Sequence, residues 1–562
     1  MSRDSANPLI VQGDRTILVE VDNPRYAEAR DALARFAELE KSPEHVHTYR
    51  ITPLSLWNAA AAGLSASEAV DVLERLGKYP LPDNVRVDML DYVSRYGRVK
   101  LVRDGSRLLL VSDDRALLAE ILHHPRLAPL VIGGGPDGAL VVDPAQRGHI
   151  KYALVQIGYP AEDLAGYVDG ARLEIALRAT GAQDGAPFAL RGYQREAAAV
   201  FHASGSTRGG SGVIVLPCGA GKTLVGLALM AGLQCHTLIL TPSIVAARQW
   251  IREVLDKTTV PPEAVGEYSG ERKEIRPITV TTYQVLTYRP THSEAFPHFA
   301  LFDERDWGLI VYDEVHLLPA PVFRITAEIQ ARRRLGLTAT LVREDGRETD
   351  VFALIGPKKY DVPWKDLERQ GWIATAECHE VRLPMADARR MAYAVADERD
   401  KYRIAAENPR KLDVLEQLLA RHADDQVLII GQYLEQLAAV AERVGAPLIT
   451  GKTPTLEREE LYAAFRTGKI RLLVVSKVAN FSIDLPDASV AIQISGTFGS
   501  RQEEAQRLGR ILRPKRPGSL AHFYSLVTRD TRDQDFAANR QMFLTEQGYH
   551  YEILSESAEG VI

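Results

Sequence analysis

Seven residues in the middle of the chain have the types and order that hold a phosphate: Pro217-Cys218-Gly219-Ala220-Gly221-Lys222-Thr223. They follow an apolar run, Gly212 to Leu216, and open a helix-forming stretch, Leu224 to Leu233. Strand, glycine loop, helix is the context in which backbone N–H groups curl around phosphate oxygens with help from the helix dipole. Gly219, Ala220 and Gly221 would supply the cradle, Lys222 would reach the β- and γ-phosphates, and the Thr223 hydroxyl would sit on Mg2+. The loop is a short form, with Pro217 and Cys218 standing where a first glycine is usual.

A second motif answers the first. Trp307 to Tyr312 reads as a buried strand, and Asp313-Glu314-Val315-His316 closes it. A carboxylate at a strand tip across from a phosphate loop can hold Mg2+, and one beside it can align or deprotonate the attacking water. Asp313 is therefore read as a metal ligand with Thr223, Glu314 as the water-positioning group, and His316 as a further member of the catalytic set. Taken singly, these motifs have ordinary explanations, a glycine turn or a chance acidic pair. Together they imply hydrolysis of a nucleoside triphosphate.

Other groups stand where such chemistry would use them. Upstream, Arg191 and Gln194 precede the loop; an amide side chain both donates and accepts, and so can read an adenine edge. Further apolar runs end in Thr241-Pro242-Ser243, Thr281-Thr282-Tyr283-Gln284 and Thr338-Ala339-Thr340. Hydroxyls at such strand tips can hold a polymer's phosphates without reading its sequence. Thr338 and Thr340 are alternatively placed to couple the nucleotide site to the next domain. Far downstream, Arg510 and Arg513 lie three apart on a helix-like stretch and share a face. Two guanidinium groups from a second domain can close on a γ-phosphate; the plain alternative is a solvated basic helix.

The elements that must position these residues are α/β. Repeated strand-then-helix texture from about 190 implies a parallel sheet with ligands at the carboxyl ends of its strands. A second such unit begins near 363, with buried strands at 427–432, 471–476 and 490–495. Residues 1–95 carry no catalytic signature: strands at 9–11 and 16–21 surround Gly13-Asp14, and helices are expected over 24–40, 53–62 and 66–77. This reads as a winged-helix-like module or a docking domain, with Trp57 in its core. Between 96 and 180, Asp104-Gly105 flanked by two β-like runs predicts a hairpin. Helices over 113–123 and 144–156 complete a small α+β unit, and 180–187 reads as a linker.

Composition bounds the rest. At 562 residues the chain exceeds one core, on a prior of roughly 150 residues per domain. No apolar stretch approaches the roughly 20 residues that cross a bilayer. The N-terminus lacks a signal-peptide pattern. Three cysteines with no Cys-x-x-Cys pair exclude a metal ribbon built on such pairs and fit a reducing cytoplasm. A net charge of −6 means that any nucleic acid must be met by a local basic strip. No compact carboxylate cluster outside these motifs and no His/Cys metal spacing suggests a nuclease.

Assembled, these motifs resemble those of superfamily 2 helicases with a DEVH box, and specifically the XPB family. The resemblance covers the whole chain and extends to Arg343-Glu344-Asp345, which matches that family's strand-separation motif, and to the tail from Phe536 to Tyr551. It implies two RecA-like parallel-sheet motor domains preceded by small α+β N-terminal domains. Their expected limits are 1–95, 96–180 (damage-recognition-like), 186–362 (ATP-binding) and 363–562, with a thumb near 384–410 bearing Arg389, Arg390, Lys401 and Arg403. It further implies ATP and Mg2+ as cofactors, and Gln506 beside the two arginines at the nucleotide. DNA junctions would be the substrate, worked 3′→5′ by a cytoplasmic monomer away from membranes, with a separate nuclease as partner. A double-stranded DNA translocase and a partner-regulated ATPase scaffold are the alternatives.

Overall fold

Antiparallel pairing opens the chain. The computed structural model describes residues 6–41, 45–183, 185–217, 219–289, 296–330, 332–339, 348–362, 367, 370, 372, 375–476, 488–496, 520–546 and 550–555. β1 (Leu9–Val11) and β2 (Thr16–Glu20) flank the expected turn. α1 (Tyr26–Leu33) is followed by β3 (Glu38–Lys41) and β4 (Val46–Arg50), so the helix expected over 24–40 ends early. Leu39 is the only apolar residue of β3, too little alternation for a strand to be read from sequence. Phe36 and Leu39 nevertheless turn inward, and the sheet runs β1-β2-β4-β3. α2 (Pro53–Ala61), α3 (Ala66–Leu76) and α4 (Asp83–Arg95) complete the unit. Thr52 and Ser65 accept from the N–H groups of Ser55 and Glu68 and so fix where α2 and α3 begin. Trp57 is buried and donates to the Tyr92 carbonyl at 3.0 Å.

The second unit pairs β5 (Lys100–Asp104) with β6 (Arg107–Val111) around Gly105. α5 (Arg115–His123), β7 (Val131–Gly134), β8 (Leu140–Val142), α6 (Arg147–Gln156) and β9 (Glu162–Asp163) follow, in a sheet of order β7-β8-β6-β5-β9. Ile150 and Leu154 of α6 enter this unit's core. On α6, Arg147 and Lys151 are buried polar residues gathered on Asp163. Arg147 meets both carboxylate oxygens at 3.1 and 2.7 Å, Lys151 lies 3.0 Å away, and Lys151 also donates to Gln330 Oε1 at 2.9 Å.

The chain then runs extended along the third unit rather than through solvent. Ala171 and Leu173 donate to the carbonyls of Asp306 and Gln234, Arg178 donates to that of Lys257, and Ile175 joins the third unit's core. The expected linker at 180–187 is a turn bridged between Thr180 and Pro187, with Ala182 tied to Asp256.

The third unit comprises α7 (Gly192–His202), β10 (Ser211–Val215), α8 (Lys222–Leu233), β11 (Thr237–Thr241), α9 (Ile244–Lys257), β12 (Val265–Tyr268), β13 (Ile278–Thr282), β14 (Leu309–Asp313), β15 (Arg333–Thr338) and β16 (Lys358–Asp361). Its seven strands are all parallel, in the order β12-β13-β11-β14-β15-β10-β16. β10, β11 and β13 are buried along their whole length, as expected of a parallel sheet covered on both faces.

A second seven-stranded parallel sheet follows: β17 (Thr375–Leu383), β18 (Val427–Gly431), β19 (Leu448–Ile449), β20 (Leu472–Ser476), β21 (Val490–Gln493), β22 (Leu520–Thr528) and β23 (His550–Ser555). Its order is β19-β20-β18-β21-β22-β17-β23. The two sheets are the RecA-like α/β architecture. After β17 stands a pair of helices, Asp387–Val395 and Glu398–Ala406, where the thumb is expected. Lys401 there is matched by Glu398, and Arg403 by Glu407 and Glu435.

Candidate active site

The sheet topology brings the phosphate loop and the carboxylate pair together, because β10 and β14 both flank β15. All three strands point the same way, so their carboxyl ends share one edge. The Leu216 N–H donates to the Thr338 carbonyl at 3.0 Å, which ties the start of the loop to the end of β15.

Gly221 caps α8 in the left-handed region at φ 79°. A Cβ at Gly221 would lie 2.6 Å from the Gln194 amide nitrogen, so only glycine allows this close approach. Lys222 and Thr223 fall in the first turn of α8, beside the positive end of its dipole. Cys218 lies outside the described residues.

Lys222 Nζ stands 3.3 Å from Glu314 Oε1 in a largely buried pair. Glu314 adopts φ 49°, ψ 58°, an uncommon conformation for a residue with a Cβ, and such departures collect at functional sites. Asp313 ends β14, where Trp250 donates its indole N–H to Oδ2 at 2.9 Å and Tyr283 donates its hydroxyl to the backbone carbonyl at 2.8 Å. Two carboxylates thus share one ammonium. Burial, reinforced by the Glu314 charge, pushes the Asp313 carboxyl up to about 6 despite Trp250 and Lys222. Burial opposes ionisation of Glu314 too, but Lys222 and His316 outweigh it and hold that group below the usual range. A divalent cation would remove this imbalance, so the donor set suits Mg2+ at Asp313 with Thr223 nearby, and the glycine cradle suits a phosphate chain.

His316 is buried, with Nδ1 2.6 Å from the Thr338 hydroxyl and 3.5 Å from Glu314 Oε2. It therefore links the carboxylate pair to the end of β15. Gln194 is buried as well, and both ends of its amide are engaged. Nε2 donates to the Ala220 carbonyl at 2.8 Å, and Oε1 accepts from the Arg191 N–H. It braces the loop in this state and would have to release one bond to read adenine. The Arg191 guanidinium lies 4.5 Å over the Trp372 ring, a contact that reaches the approach to the second sheet.

The strand-tip hydroxyls read as polymer contacts are engaged within the protein in this structure. Thr241 and Thr281 are fully buried, and Thr241 donates to the Thr281 carbonyl at 3.0 Å. Thr282 and Ser243 accept from Val285 N and Ala246 N and cap the helices that follow. The Pro242 carbonyl accepts from Gln284 at 2.6 Å. These side chains shape the edge from within. What that edge can offer a phosphate is the N-terminus of α9, beginning at Ile244. Arg343, Glu344, Asp345, Thr340, Gln506, Arg510 and Arg513 lie outside the described residues.

Trp250 is a site residue that sequence reasoning missed, and Tyr283, read there only as part of a strand tip, turns out to hold the Asp313 backbone. The one local signal for Trp250 is Gly226, in the helix that the phosphate loop opens: a Cβ there would meet the indole at 2.5 Å.

Comparison with known proteins agrees with this geometry. Residues 367–560 match the ERCC3/RAD25/XPB C-terminal helicase family, 187–343 the type III restriction enzyme res subunit, and 9–133 a helicase conserved C-terminal domain. The DNA 3'-5' helicase XPB of Mycobacterium tuberculosis is 58% identical over 545 residues, covering 97% of each chain. That of Kineococcus radiotolerans is 57% identical over 548 residues, covering 97% of this chain and 96% of its own. A general transcription and DNA repair factor IIH helicase/translocase subunit XPB from Antonospora locustae is 36% identical over 563 residues, 97% of this chain and 81% of that one. With a buried carboxylate–lysine cluster at the edge of a parallel sheet and relatives matched nearly end to end, the chain belongs to the XPB family of helicases.

Proposed function

We propose that this protein is an ATP-driven 3′→5′ DNA helicase acting in DNA repair, with its hydrolytic centre at Lys222, Asp313 and Glu314. The observation that carries the reading is the Asp313–Glu314–Lys222 cluster, two carboxylates and one ammonium largely enclosed beside a glycine loop. Thr223 and Asp313 would hold Mg2+, which would supply charge neutralisation for the phosphates. The chain's own residues do the rest. Lys222 leaves Glu314 to engage phosphate, Thr223 and Asp313 hold the cation, and Glu314, freed of its ammonium partner, orients the water and accepts its proton. The His316–Thr338 hydrogen bond carries the change in Glu314 to the end of β15, beyond which stand Arg343, Glu344 and Asp345. Arg510 and Arg513 would close on the γ-phosphate from the second sheet, with Gln506 beside them.

In this reading the units span 1–95, 96–180, 186–362 and 363–562, with the helix pair at 387–406 as the thumb. The protein works as a monomer in the cytoplasm, and a separate nuclease cuts the strand that it opens. Among the described residues no helix is long and apolar enough to cross a membrane.

The test is ATP turnover without nucleic acid and with single-stranded DNA, forked DNA or RNA, using Lys222→Ala as the blank. Stimulation by DNA and not by RNA is the expected result; equal turnover in every tube would overturn the reading in favour of a partner-regulated ATPase. The translocase alternative gains weight from the eukaryotic relative named helicase/translocase. Strand displacement from a fork, measured beside triplex displacement from a duplex, separates the two.

A further inference from the structure

The second parallel sheet holds a cluster that the nucleotide chemistry does not use. On β17, Glu377 and His379 are two residues apart and share a face. In the neighbouring strand β22, His522 is the register partner of Glu377, and Tyr524 that of His379. His379 Nε2 lies 3.7 Å from Glu377 Oε2, and His522 Nδ1 lies 3.4 Å from the same oxygen. Among the described residues this is the one grouping of three such side chains with metal-ligand spacing, its ligand atoms all within 4.8 Å of one another.

We propose that Glu377, His379 and His522 form a site for one borderline divalent cation, zinc foremost, at the amino-terminal edge of the second sheet. Two imidazoles and a carboxylate are a donor set that zinc takes, with a fourth position left to water. With metal–nitrogen bonds of about 2.0–2.1 Å, the ligands of a tetrahedral ion stand about 3.3 Å apart, close to both distances to Glu377. The buried His522 Nδ1 makes no hydrogen bond, so the approach to Glu377 is not already closed by one. The surroundings are those of a built site. Glu552, the register partner of His379 on β23, lies 3.3 Å from the other nitrogen of that ring, which makes no hydrogen bond in this structure, so a carboxylate stands within reach to orient the ring as a ligand. Tyr524 stacks on His379 at 5.0 Å. Its hydroxyl engages His422 Nε2 at 3.0 Å, while Asp425 holds His422 Nδ1 at 2.9 Å, so that third imidazole serves as packing rather than as ligand. The site lies at the opposite end of the strands from the edge where such sheets take nucleotides, and it would tie together β17, β22 and the tail strand β23.

The test is a Co2+ titration of the full chain after EDTA treatment and dialysis, in excess Mg2+ to occupy the nucleotide site, followed by visible absorption. One saturable equivalent with intense d–d bands, displaced by Zn2+, is expected for the natural sequence and for Lys222→Ala. Glu377→Gln and His522→Gln should lose that equivalent, and Glu552→Gln should weaken it by about 10–100-fold. Zn2+ should also raise the melting temperature of the natural protein and not that of Glu377→Gln. No saturable equivalent in the natural protein, or the same stoichiometry and spectrum in Glu377→Gln, would overturn the proposal. Glu377 is half-exposed and the change isosteric, so this variant decides the matter even where His522→Gln fails to fold.

Discussion

Two buried charge clusters in this molecule are balanced in opposite senses. At Asp163 one carboxylate is met by two cations, Arg147 and Lys151, with Gln330 completing the lysine's bonds. At Asp313 and Glu314 two carboxylates are met by one cation, Lys222. Burial raises both aspartates, but Lys151 and Arg147, with the charge of Arg334 added, hold Asp163 well below the usual range, whereas Asp313 stays far above it. The first cluster fastens the second unit onto the third. The second is short of positive charge, and that deficit is what the proposed cation would fill. Burial of charge by itself does not mark function; burial without balance does.

The comparison can be broken by substitution. Glu314→Gln, which leaves Lys222 a neutral partner, should lower ATP turnover by about 10²–10⁴-fold while nucleotide binding persists. A loss of binding instead would mean that the carboxylate holds the loop rather than the water. Asp163→Asn strands two cations in the interior and should cost about 3–5 kcal/mol in a urea melt, with turnover per folded molecule unchanged. The same change at the other cluster has the opposite sign. Asp313→Asn relieves a carboxylate repulsion, keeps an acceptor for Trp250, and should stabilise the protein by about 1–2 kcal/mol while abolishing hydrolysis. If both asparagine variants are destabilised alike, the distinction between the clusters fails.

A third solution to burial is to stay neutral, and His47 takes it. Its ring accepts no counter-ion; Tyr26 meets Nδ1 at 2.8 Å, and burial, with Arg30 nearby, pulls its pKa down to about 4. In the unfolded chain an imidazole titrates near about 6.5. Between those values the unfolded state binds a proton that the folded state refuses. Stability from this residue is therefore intact above pH 6.5, falls as pH drops toward 4, and is lost no further below that. Thermal melts from pH 7.5 to 4 should show this slope, and His47→Gln should flatten it.

How much of this was legible in the sequence depends on whether the signal was local. The phosphate loop and Asp313-Glu314 are contiguous words whose spacing within one turn or strand tip carries the chemistry, and both were readable. Trp250 and Tyr283 reach Asp313 across 63 and 30 residues, set by how α9 and β13 pack, and no periodicity announces that. The strand-tip threonines show the converse: their residue type suggested phosphate contact, but the packing of β11 on β13 turned them inward. β3 escaped because Glu38, Glu40 and Lys41 surround its single apolar residue. Asp163 carries no sequence signal, because Arg147 and Lys151 come to it only through the packing of α6.

The indole that donates to Asp313 also has an optical consequence. Emission from tryptophan shifts with the charge and polarity beside its ring, and Trp250 is in hydrogen-bond contact with the carboxylate proposed to take the cation. Arrival of the metal or departure of Lys222 would therefore be written into its fluorescence. Of the five tryptophans in the chain, Trp57 and Trp307 bond backbone carbonyls remote from this carboxylate. A phenylalanine at 250 would supply the dark control. The nucleotide cycle should thus be visible in stopped flow on the unlabelled protein, one turnover at a time.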